Sequence, residues 1–125
     1  MKRMGMPGLA LVLGVSAPAM AQDITMRELP SSVAAFEEKS IDDLRAMMAS
    51  GQQTSAGITE LYIERIRMLD QNGPTLRSVI AVSPNAAEQA RASDARRKEG
   101  KLKGPLDGIP VLINENIDTK ELPTT

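Results

Sequence analysis

The order of elements along the chain predicts an α/β fold, with helices packed on a β-sheet. Three observations carry that expectation. Two amphipathic helical stretches lead. Two short apolar runs follow, Ser78–Val82 (SVIAV) and Ile109–Ile113 (IPVLI), the second β-branched at Ile109, Val111 and Ile113. Runs this short, bounded by Gly and Pro, suit buried strands better than helices. The alanine-rich helical stretch between them is long enough for a right-handed crossover joining two strands of one sheet.

Met1 to Ala21 has the pattern of an export signal. Lys2 and Arg3 form a positive start, Leu9–Val15 an apolar core, and Ala19-Met20-Ala21 presents small residues where a signal peptidase reads. Cleavage is expected after Ala21, giving a periplasmic or secreted protein. The apolar run is shorter than the about 20 residues a membrane-spanning helix needs, so no stable membrane anchor is expected. Residues 22–39 read as an N-terminal arm with a short helix around Val33–Glu38, and 40–125 as the domain proper.

Ser40 is placed to cap the first main helix, with Asp43 completing a capping box. Ile41, Leu44, Met47 and Met48 share one face of that helix, which ends near Ser50-Gly51. Thr54 or Ser55 starts the next helix, where Ile58, Leu61, Tyr62, Ile66 and Leu69 form an apolar stripe. Asn72-Gly73-Pro74 stops it. Ser83 at the cap and Pro84 in the first turn start the alanine-rich helix over Asn85–Glu99. Arg91, Arg96, Arg97 and Lys98 gather toward its C-terminal end, which a helix dipole favours, and Gly100 stops it.

Composition excludes several functions. Without Lys2 and Arg3 the basic residues fall from 15 to 13 against 16 acidic, a net charge of −3. Phe36 and Tyr62 are the only aromatics, so nucleic acid finds neither a basic surface nor a stacking platform. The absence of cysteine removes disulfides and thiolate chemistry. The absence of histidine removes a Ser-His-Asp triad and an ordinary zinc site. Asp107, Glu115, Asp118 and Glu121 fit no calcium-loop spacing, so neither a metal nor a cofactor is expected.

Gly104 to Thr125 reads GPLDGIPVLINENIDTKELPTT. This stretch resembles the amidase signature family, serine hydrolases whose segment typically reads G-P-L-H-G-I-P-V-L-L-K-D-N-I-D-T and continues P-T-T-A-G-S. Gly104-Pro105-Leu106, Gly108 to Leu112, Asn116 to Thr119 and Pro123 to Thr125 match it. The weaker likeness over the helices extends it back to about Ile41, and secreted peptide amidases are the members it resembles most. The fold this implies is the N-terminal portion of the amidase signature fold, helices packed on a mixed β-sheet, incomplete in this chain. The activity implied is hydrolysis of carboxamide C–N bonds in small amides or peptide amides, by a serine, a second serine in a cis peptide, and a lysine.

Apart from Ile113 in place of a leucine, three positions depart from that pattern. Asp107 stands in place of a histidine and Glu115 in place of an aspartate. Asn114 stands in place of the catalytic lysine. A lysine serves as base when burial depresses its pKa, whereas a carboxamide does not titrate near neutrality. Lys120 lies six residues further on, in a loop. The serines of the family lie in a downstream Gly/Ser-rich stretch that is not among these 125 residues. The resemblance therefore implies an inactive segment of an exported amidase. The alternatives are an exported, non-enzymatic binding module derived from an amidase, or one half of a split amidase. The oligomeric state is not legible.

Overall fold

The computed structural model describes residues 29–122; the proposed signal segment and Pro123-Thr124-Thr125 lie outside them. Among the described residues there are four α-helices: α1 (Ser31–Ala34), α2 (Ile41–Ala49), α3 (Ser55–Arg65) and α4 (Ala86–Lys98). A π-helical turn, Ile66–Asn72, continues α3. None of these helices is long and apolar enough to cross a membrane.

The helices α2 and α3 begin where side chains satisfy free backbone N–H groups. At α2 the capping box is complete, because Asp43 N–H donates to Ser40 Oγ (3.1 Å) and Ser40 N–H donates to Asp43 Oδ2 (3.0 Å). The Ser40 hydroxyl also donates to Asp43 Oδ2 (2.7 Å), and that bond together with the one from Ser40 N–H holds the Asp43 carboxyl below its usual pKa. At α3, Thr54 Oγ1 accepts from Gly57 N–H (3.0 Å). The Asp94 carboxylate, reaching across from α4, accepts from Ser55 N–H (2.7 Å) and Ala56 N–H (3.0 Å). One N-terminus is thus capped both from its own chain neighbour and from another helix. A cap is worth about 1 kcal/mol, and this one also pins α4 to α3.

The start of α4 differs from the sequence expectation. Ser83 and Pro84 form the approach to the helix, with Ser83 Oγ accepting from Asn85 N–H (3.2 Å), and Asn85 is the N-cap. The Ser83 hydroxyl is shared, since it also donates to Glu121 (2.7 Å).

The core is small and helical. Phe36, Leu44, Met48 and Ile58 are buried together, with Met47, Leu61, Tyr62 and Ile109 packed around them. Ile58 is fully buried, which contributes roughly 1.5–3 kcal/mol. Val33 and Phe36 are buried as well, so the end of the predicted arm packs on the body rather than merely wrapping it. The Arg65–Glu37 ion pair (3.0 Å) fastens the same segment to α3.

The mixed sheet is where structure and sequence part. Among the described residues there is no β-strand, and Ser78–Val82 and Ile109–Ile113 are irregular. A strand exists only through its ladder, and a two-stranded pair has little stability of its own. The two runs are not paired with each other here. Thr75 and Arg77 take left-handed backbone conformations (φ 55° and 51°). Asp70, in the π-helical turn, draws Ser78 and Val79 onto itself. The predicted crossover helix α4 packs against α3 instead of a sheet, with Ala90 and Ser93 buried and Asp94 bonded to the start of α3.

Gly108 marks the closest approach. Its φ is 94°, and a Cβ there would lie 2.7 Å from Ser93 Oγ and 3.1 Å from Ser55. Gly108→Ala should therefore cost about 1–3 kcal/mol in urea unfolding of the chain. Adding Ser93→Gly should recover only part of the loss, since the Ser55 contacts and the left-handed backbone still disfavour alanine. An unchanged unfolding midpoint for Gly108→Ala would contradict this packing.

Candidate active site

The segment from Gly104 onward begins as a tight turn, with Asp107 N–H donating to the Gly104 carbonyl (3.2 Å) and Ile109 N–H to the Leu106 carbonyl (3.0 Å). What fixes the turn on the body is Asp107. Its carboxylate receives Arg96 Nε at 2.9 Å and a second Arg96 guanidinium nitrogen at 2.6 Å, a two-pronged charge-assisted pair. Lys103 N–H adds a third bond at 2.9 Å. The Asp107 carbonyl accepts from Arg97 (3.0 Å), which also touches the Met48 sulfur.

The Asp107 side chain is only 5% exposed, against 27% for Arg96. Arg96 is the largest influence on the Asp107 carboxyl, holding it far below the ordinary carboxylate range against the opposing effect of burial. Lys103 N–H and the neighbouring Ser93 hydroxyl favour the ionised form further. Arg96 is correspondingly raised. Ser93 Oγ itself is buried without a well-formed hydrogen bond.

One residue on, Ser55 Oγ donates to the Gly108 carbonyl (2.8 Å), and Ile109 packs on the core. The next apolar residues do not. Val111, Leu112 and Ile113 are all more than half exposed. Asn114 is exposed at the head of a turn, its carbonyl accepting from Ile117 N–H (3.0 Å). Lys120 is exposed, and neither residue is enclosed by protein.

The acidic residues singled out from the sequence are dispersed. Asp107 turns inward to Arg96. Glu121 accepts from Ser83 and Gln89 at the start of α4. Glu115 and Asp118 are exposed. Among the described residues no three His, Cys, Asp or Glu side chains gather as a metal site would require.

Two carboxylates that organise the surroundings were not singled out in the sequence. Asp94 caps α3. Asp70, whose residue is 5% exposed, accepts from the Ser78 hydroxyl and N–H and from Val79 N–H, and these bonds lower its pKa. A legible signal existed only for Asp107, which follows the Arg96-Arg97 pair across the Gly100 stop.

The fold and this loop together resemble a segment of the amidase signature fold. The chain belongs to the Amidase family, whose profile matches residues 57–125. It is 42% identical over 82 residues to a glutamyl-tRNA(Gln) amidotransferase subunit from Chloroflexus aurantiacus, a match covering 65% of this chain and 16% of that protein. Its structure is similar to the native peptide amidase of Stenotrophomonas maltophilia, with a TM-score of 0.69 and 40% identity over 71% of this chain and 18% of that one. An amidase family protein of Bacillus anthracis is similar over 81% of this chain and 21% of its own, with a TM-score of 0.67 and 35% identity. The chain thus spans about a sixth to a fifth of the length of these relatives, whose fold is that of the amidase signature proteins.

A carboxyl whose pKa is depressed on folding stabilises the folded state above its ordinary pKa of about 3.9, and that stabilisation is lost as pH falls. Asp107→Asn should lower the melting temperature at pH 7. It should also flatten the fall in stability below about pH 4, because the lost contribution is the part that acid removes. Parallel wild-type and variant curves over that window, followed by circular dichroism, would contradict the assignment.

Proposed function

We propose that the chain is part of an exported hydrolase of carboxamide C–N bonds, acting on small amides or peptide amides, in which residue 114 no longer supplies a base. The observation that carries this reading is the run from Gly104 to Thr119, where the amidase motif is retained at 12 of 16 positions while the lysine slot holds Asn114. A peptide amidase with which this chain shares 40% identity was crystallised with the competitive inhibitor chymostatin, which supports a peptide-like amide as the substrate class.

The chemistry follows from the residue types. A serine attacks an amide carbonyl only when its proton has somewhere to go, and a desolvated lysine amine provides that acceptor. The Asn114 carboxamide can donate and accept hydrogen bonds, so it can hold the turn, but it does not take up the proton. A chain with Asn114 in the lysine slot is therefore proposed to hydrolyse amides poorly or not at all. Export rests on Lys2-Arg3, the apolar Leu9–Val15 core and Ala19-Met20-Ala21. A mature protein whose mass begins at Gln22, recovered outside the cytoplasm, is the expected result, and an unprocessed cytoplasmic chain would refute it.

The base assignment is tested by replacing the matching segment of the Stenotrophomonas peptide amidase with that of this chain. The chimera carrying Asn114 should hydrolyse a peptide amide at least about 10²-fold more slowly than the same chimera with Asn114→Lys. Equal rates in the two chimeras would remove residue 114 from the catalytic role.

A further inference from the structure

The basic residues toward the end of α4 do not all serve the same end. Arg96 is committed to the Asp107 carboxylate. Arg91, Arg97 and Lys98 instead line a cleft of about 570 Å³ between α4 and the connection from α2 to α3, to which Gln53 and Thr54 contribute. Arg91 and Lys98 are seven residues apart, two helical turns, and so share one face of α4. Asp94 lies between them on that face, at a spacing that pairs with either. It is diverted from both, because its Oδ1 accepts from Ser55 N–H and its Oδ2 from Ala56 N–H. Among the described residues no ion pair includes Arg91, Arg97 or Lys98. Arg97 donates to neutral acceptors, the Asp107 carbonyl and the Met48 sulfur, and its Nε is buried with no acceptor. The cleft thus holds three cations against one carboxylate whose two oxygens are already engaged.

We propose that this cleft binds a phosphate-type dianion, free or as the phosphoryl group of a small organic molecule. Guanidinium groups match the oxygens of a phosphate two at a time, and a lysine adds a mobile point charge. Two negative charges balance the excess of the cleft, which a single carboxylate leaves half compensated. Thr54 Oγ1 accepts from Gly57 N–H, so its own hydrogen is free to turn toward the ligand, and the Gln53 amide supplies further donors. Walls on two sides exclude part of the water, which strengthens the attraction relative to an open surface. The volume falls within the range of small-molecule sites and leaves room for an organic body beside the phosphoryl group.

Binding here does not depend on the amidase reading, and the test reads binding alone. The full chain is titrated with inorganic phosphate and with phenyl phosphate, each against sodium chloride at matched ionic strength, by calorimetry and residue-resolved NMR. Saturable shifts at Gln53, Thr54, Arg91 and Lys98 are expected with the phosphates and not with chloride. The double variant Arg91→Gln, Lys98→Gln removes two exposed cations and touches neither the core nor the Asp107 clamp. It should weaken binding at least about tenfold while leaving the helical circular dichroism unchanged. Tighter binding of phenyl phosphate assigns the site to an organic phosphate and equal binding to the free ion; both support the proposal. The peptide-amidase chimera described above should bind with the same affinity and show the same loss in the double variant. Shifts reproduced by chloride, undiminished binding by the double variant, or loss of binding in the chimera would each overturn it.

Discussion

The two-pronged pair between Asp107 and Arg96 is the interaction on which the rest of this structure depends. It joins the end of α4 to the turn that launches the motif segment, and it does so beside the point where Gly108 passes closest to Ser55 and Ser93. A carboxylate this shielded from water is costly unless its oxygens are well satisfied, and here Arg96 and Lys103 N–H satisfy them. The small residues and the charge act together. Gly108 allows the turn to approach, and Asp107 holds it there.

The same economy appears at the other helix junctions. Asp94 bridges α4 to the first N–H groups of α3, and Asp70 bridges the π-helical turn to Ser78 and Val79. In each case a carboxylate accepts from backbone N–H groups that helix or loop geometry leaves free. With a core of only a few side chains, these polar junctions decide how the irregular segments leave the body.

The sequence made the local signals legible and the long-range ones obscure. Ser40 with Asp43, Thr54 and the Gly51 and Gly100 stops were readable because capping is settled within a few residues. Met48 and Ile58 were readable from helical periodicity. Asp94 and Asp70 were not, since an acidic residue on a helix is ordinarily solvated and nothing local shows that it meets a distant N–H. The strands Ser78–Val82 and Ile109–Ile113 were read from composition, but composition states a preference for burial and cannot supply the neighbours. Ile80, Val111 and Leu112 therefore remain exposed. Asn114 was found through the motif alone. Its exposed turn offers no burial or partner that would have drawn notice to it.

A fixed turn followed by an unpartnered apolar run is the physical content of this account, and it places residue 114 on the free side of the boundary. Native-state hydrogen exchange read residue by residue on the full chain tests it most directly. Lys103 N–H, bonded to Asp107, and Ser55 and Ala56 N–H, bonded to Asp94, should exchange slowly, while Val111, Leu112 and Ile113 exchange near the rate of an open chain. Protection of those last three comparable to the α3 interior would contradict the account.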